Sequence, residues 1–267
     1  MKHIILLTFL VFNLMAGILK APLLSVDSEN KTATVELSKV DVGVSGYLVH
    51  KVAENHSSIL WNVTVVAYDK ESKIATLQLS KFDALRNNAL PKGKWKAVVG
   101  DKVELAFGYS RALLIAPSEE IYHQITKSVN IQWIHPDIFA TILSYHGHPT
   151  PLKKDFTTMS VATSVGLLFV YLDKKLYTVD IRSFKILNIS DAPLVQDTVQ
   201  LPFYSRVEHI EANWWGEGSD ELKDYETYYY GLLTEFNNEN EKLYKNIELS
   251  NEKNHYLLDE FVIEESK

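Results

Sequence analysis

Cysteine is absent from all 267 residues. That excludes a disulfide framework, a cysteine-ligated metal and a thiol nucleophile. Positive charge is also in short supply: 27 Lys and Arg face 34 Asp and Glu, a formal charge of −7. Such a chain has little attraction for a phosphate backbone, so no nucleic-acid partner is expected. Catalytic signatures are missing too. No Gly-x-Ser-x-Gly elbow holds a serine on a strained turn, and no glycine-rich loop cradles phosphate. Serines, histidines and acids are plentiful, but no local pattern brings them together. The neighbouring carboxylates Glu119-Glu120 and Glu264-Glu265 diverge on a helix or strand and read as solvated charge. The chain is therefore read as non-enzymatic, with no catalytic residue and no cofactor.

Long apolar runs are confined to the start. Lys2 precedes a run from Ile4 to Phe12, and the small residues Ala16 and Gly17 follow. At about 15 largely apolar residues, the stretch falls short of the roughly 20 needed to span a bilayer. Residues 1–17 read as a secretory signal, with an uncleaved anchor as the alternative. The remainder carries no second such run and is expected to be soluble outside the cytoplasm.

The organising stretch is residues 105–127, where strand-like segments give way to helix-like ones. Residues 112–116 read as a buried strand that Pro117 breaks. Ser118 is an N-cap, Glu119 and Glu120 suit the positive end of a helix dipole, and Ile121, Tyr122 and Ile125 form an apolar face. Before this seam, six or seven short strands with frequent turns predict a small barrel or sandwich. In residues 32–37, Ala33, Val35 and Leu37 alternate with polar residues, and residues 69–72 are a polar hairpin turn. Gly43 and Gly46 mark a bulge or bend. After the seam, Pro136 opens a helix, residues 154–162 form a short one, and residues 167–189 read as a meander turning at Asp173-Lys174. Residues 201–210 read as a returning strand, and Ser219 as the cap of a final helix.

The fold class is thus α+β: a small β-barrel or sandwich-like N-terminal half, then an α/β layer and a C-terminal helix. The expected domains are a β-rich barrel-like domain at 22–116 and an α/β domain at 117–200. A returning strand and helix at 201–236 pack on the latter, and an acidic, partly disordered tail follows at 237–267.

Three groups are candidates for a site. His146 and His148 bracket Gly147, with His135 upstream, and two histidines one residue apart can share a metal. Only Asp137 or Asp155 offers a nearby third ligand. Surface-loop histidines before prolines are the commoner arrangement, so no metal is assigned. The aromatic stretch Trp214, Trp215, Tyr225, Tyr228, Tyr229 and Tyr230 is the densest in the chain. Tyr225 and Tyr229 are expected to pack inward and Tyr228 and Tyr230 to lie at the helix margin, with Trp215 the ring left exposed. Lys267 presents an ammonium that a lysine-binding domain can hold, its methylene stem laid on aromatic rings.

Three strings carry a resemblance: Val42-Gly-Val-Ser-Gly-Tyr-Leu-Val49, Ala112-Leu-Leu-Ile-Ala-Pro-Ser-Glu-Glu-Ile-Tyr-His-Gln-Ile125 and Leu201-Pro-Phe-Tyr-Ser-Arg-Val-Glu-His-Ile210. They occur in order, with residues 225–233 after the last. Over residues 25–235 the chain resembles the N-terminal domain family of the bacterial plasminogen-binding protein PgbA. The resemblance implies a non-enzymatic protein exported to the periplasm or cell surface of a Gram-negative bacterium, with plasminogen as partner and Lys267 as the contact. The acidic composition after residue 236, eight Asp and Glu against four Lys, favours an alternative: a periplasmic structural or assembly module whose partner is another envelope protein.

Overall fold

The computed structural model describes residues 17–82, 95–195 and 198–263. The chain divides into two compact units, one running to Tyr109 and the other beginning at Ser110.

The first unit is a closed, antiparallel barrel. Its strands are β1 (Leu19–Asp27), β2 (Thr32–Glu36), β3 (Ser45–Ala53), β4 (His56–Asp69), β5 (Ile74–Lys81) and β6 (Lys102–Leu105), in the order β1-β2-β5-β4-β3-β6. Alternation fills the interior: Leu23, Val35 and Leu77 are buried while their sequence neighbours face outward, and Leu105 joins them inside. Side chains close the turns. Asp27 accepts from the amides of Glu29 and Asn30, and Asp69 from Glu71 and the Ser72 hydroxyl. Gly46 is neither bulge nor bend. It lies opposite Leu105 in the β3–β6 pairing, and a Cβ there would sit 2.1 Å from the Glu104 carbonyl oxygen.

The second unit contains β7 (Arg111–Ile115), α1 (Glu119–Ser128), β8 (Gln132–Ile134), α2 (Pro136–His146), α3 (Lys153–Thr163), β9 (Leu167–Leu172), β10 (Lys175–Asp180), β11 (Ile186–Asp191), α4 (Tyr225–Asn237), α5 (Glu241–Glu248) and a 3-10 helix, Glu252–Glu260. The sheet order is β11-β10-β9-β7-β8, with β7 parallel to both neighbours and β9 to β11 a meander. Ser118 caps α1 as expected, its hydroxyl accepting from the Ile121 amide. Phe139 of α2 packs on Phe156 of α3 and on Phe203, with ring centroids 4.5 and 5.4 Å apart.

Four expectations are corrected. β7 belongs to this second sheet, not to the barrel-like half drawn at 22–116. Ala112, Leu113, Leu114 and Ile115 are all fully buried, which suits a central parallel strand covered on both faces. Residues 201–210 do not form a strand: Pro202 has no amide to donate, and Tyr204 makes an isolated bond to the Ala116 carbonyl. The last long helix begins after Asp224, whose carboxylate accepts from the Thr227 amide, while Ser219 turns back onto the Gly216 carbonyl. Within the tail expected to be partly disordered, Glu241–Glu248 and Glu252–Glu260 are helical, because Leu243, Ile247 and Leu257 reach the core. No helix among the described residues is long and apolar enough to cross a membrane.

Candidate functional site

The candidate surface is built where α2 ends. Gly147 adopts a left-handed backbone (φ 68°) that stops the helix, and the stretch holding Pro149 and Pro151 stays irregular, with a bend at 149–150, up to α3. Residues 213–218 clamp this corner. The Asn213 side-chain amide donates to the His146 carbonyl at 2.6 Å, and the Thr150 amide donates to the Gly218 carbonyl. A Cβ at Gly147 would sit 2.3 Å from the Asn213 side chain.

The clamp carries both indoles on its outer side. Trp215 is 84% exposed, as expected, and Trp214 is 97% exposed. Neither ring is spent on packing. The tyrosines divide differently from expectation: Tyr225 and Tyr229 are buried, but so is Tyr230, and Tyr228 is half-buried with its hydroxyl donating to the Pro151 carbonyl. Burial pushes the phenols of Tyr225 and Tyr229 well above the ordinary tyrosine value, so these rings are core material. Beside the clamp lies a groove of about 740 Å³ floored by Leu222, Tyr228 and Leu232. Five acidic side chains line it against three lysines. One of them, Lys153, lies 3.9 Å from the Phe236 ring centre, and burial lowers its ammonium against the pull of Glu235.

The histidines separate into two sites. His146 and His148 converge on Asp155, with Nδ1 of each 2.7 and 2.9 Å from Oδ1. His135 lies elsewhere, capping α2 by accepting the Asp137 amide at Nδ1. Its ring packs on Tyr122, which packs on Tyr204. Asp137 binds Arg206 through the Arg206 backbone amide and guanidinium, at 2.9 and 2.8 Å. Burial alone would raise the Asp137 carboxyl, but these Arg206 bonds outweigh it and hold it below the ordinary value. Burial lowers the His135 imidazole, with Asp137 opposing and Arg206 assisting. This second cluster ties the 201–210 segment to α2. Lys267 lies outside the described residues, as does the signal-like stretch 1–16.

Comparison with known proteins follows the same span. The family described as "Plasminogen-binding protein pgbA N-terminal" matches residues 18–233. The chain belongs to that family. Two curated relatives are the plasminogen-binding proteins PgbA of Helicobacter pylori strains J99 and 26695. Each is 26% identical over 212 residues, which is 78% of this chain and 46% of the relative. The chain thus spans about half the length of the curated relatives it matches. No solved structure matches it.

Proposed function

We propose that this member of the PgbA N-terminal family is an exported, non-enzymatic protein that captures plasminogen, and that residues 1–17 direct its export. Membership in a family named for plasminogen binding, matched from residue 18 to 233, carries the reading. The exposed pair Trp214 and Trp215 supports it as a contact surface, since amphipathic rings held out on a clamped loop supply contact area at little entropic cost. Lys267 is the proposed lysine contact.

The test is binding of immobilised plasminogen by the chain, by a Lys267→Ala variant and by a Trp214→Ala/Trp215→Ala variant, each with and without a free lysine analogue. Binding that the analogue abolishes and that fails in Lys267→Ala supports the lysine contact. Binding that survives Lys267→Ala but fails with the indoles removed moves the contact to the loop. No binding by the parent chain overturns the reading.

One observation favours a second reading, a periplasmic structural or assembly module. The relatives are about twice as long, so their plasminogen contact can belong to the half this chain does not match. Crosslinking to a periplasmic partner, without surface accessibility on intact cells, would establish that alternative.

A further inference from the structure

We propose that His146, His148 and Asp155 form a site for one divalent transition-metal ion of the cobalt, nickel and zinc class. The three side chains present two imidazole nitrogens and one carboxylate, with all donor atoms within 4.8 Å of one another. Imidazole donors select these metals over calcium and magnesium, which take oxygen. The spacing fits as well. Metal–ligand bonds of about 2.0–2.2 Å meeting at right angles put neighbouring donors about 3 Å apart, whereas a tetrahedron asks for about 3.4 Å. The observed separations from Nδ1 of His146 and His148 to Asp155 are 2.7, 2.9 and 3.0 Å. Each histidine nitrogen thus stands from the carboxylate at about the spacing of adjacent, right-angle corners, as a six-coordinate site asks, and the two nitrogens lie within 4.8 Å of each other. Tetrahedral zinc would need each nitrogen to move a few tenths of an ångström from the carboxylate.

The scaffold holds the donors in place before any ion arrives. Asp155 is fully buried, and its Oδ2 accepts from the Leu152 amide at 2.8 Å. The left-handed turn at Gly147 lets two histidines that flank it face the same carboxylate, and the His148 amide donates to the Leu143 carbonyl at 3.0 Å. Asn213 holds the His146 carbonyl from outside. The His146 side chain keeps 25% exposure, which leaves the remaining coordination positions a way out to water. Without metal, the same atoms make a hydrogen-bonded triad about the carboxylate. A ring that binds the ion through Nδ1 must offer that nitrogen's lone pair, so any ring proton it keeps sits on Nε2.

The test uses the full chain without a histidine tag, stripped by a chelator and titrated with Co(II), Ni(II) and Zn(II) by calorimetry. At least one ion should bind at one per chain, and Co(II) should give the weak visible bands of a six-coordinate site. His146→Ala should lower the affinity at least about tenfold, with the circular dichroism of the fold unchanged. His146 is chosen because it is the partly exposed ligand, whereas Asp155 also anchors the start of α3. His148→Asn is the second variant and should weaken binding likewise. Failure of all three ions to bind at one per chain overturns the site, and so does binding that neither variant weakens.

Discussion

The phenol of Tyr225 donates to the main-chain carbonyl of Tyr171 at 3.0 Å, joining the first residue of α4 to the end of β9. The same hydroxyl lies 3.2 Å from the Ile115 carbonyl at the end of β7, and all of it is buried. One proton therefore serves the ends of two parallel strands. Tyr225→Phe keeps the ring and removes the donor, leaving two buried carbonyls short of a partner. It is expected to destabilise the second unit by about 1–3 kcal/mol, seen as a lower urea midpoint with an unchanged slope. A midpoint equal to that of the parent would show that water satisfies both carbonyls.

Gly46→Ala should be the most damaging single methyl in the barrel. The added carbon would lie 2.1 Å from the Glu104 oxygen and 2.7 Å from the Leu105 Cα, both main-chain atoms in a paired strand. Neither can move without parting β3 from β6. A loss of about 3 kcal/mol or more is expected, read as an early unfolding transition. Gly100→Ala is the control: its Cβ meets nothing within 4 Å, so its cost comes only from a backbone φ of +91°.

Acid should weaken the second unit in two steps. His135 and Asp137 both have folded values below their ordinary 6.5 and 3.8. For either group the folded state holds its proton less tightly than the unfolded chain. Its contribution is therefore present above the ordinary value and lost as pH falls towards the folded one. The first loss begins as pH drops below 6.5, the second below 3.8. Arg206→Ala removes the guanidinium that lowers both groups and should shrink both steps, checked by urea midpoints from pH 7 to pH 3. Identical pH profiles for the two proteins would contradict the assignment.

Trp214 and Trp215 should separate binding from folding. Their rings are almost fully solvated, so Trp214→Ala/Trp215→Ala is expected to shift stability by no more than about 0.5 kcal/mol. Under the proposed function it weakens plasminogen binding, measured by surface plasmon resonance beside a thermal melt. A large loss of stability would show that the indoles pack after all.

Where the fold could be read in advance, local chemistry and final packing agree. Ser118 caps α1 and Ile121, Tyr122 and Ile125 bury, as their spacing requires. Asp173 and Lys174 both take positive φ at the predicted turn. β7 was misassigned because an apolar five-residue run carries no mark of which sheet will cover it. The helices after residue 240 were hidden by charge: the acidic surplus masked Leu243 and Ile247, four apart on one face. Asp137 and Asp155 were equal candidates beside the histidines. What separates them is tertiary, since Arg206 arrives from 69 residues away to occupy Asp137 while the turn at Gly147 aims both rings at Asp155.

The ring of six strands also has a consequence for self-association. Every strand in it has a partner on both sides, so it offers a neighbouring molecule little free backbone except where the β3–β4 hairpin runs on past β6 and β5. Among the described residues, backbone-templated growth, the route to fibres and swapped dimers, is then open at that hairpin end and at the rims of the other sheet. One rim, β8, is three residues long, too short to template much. The other, β11, carries half-buried Ile186 and Ile189 and is where a mutation that loosens α4 or α5 would first make this chain sticky.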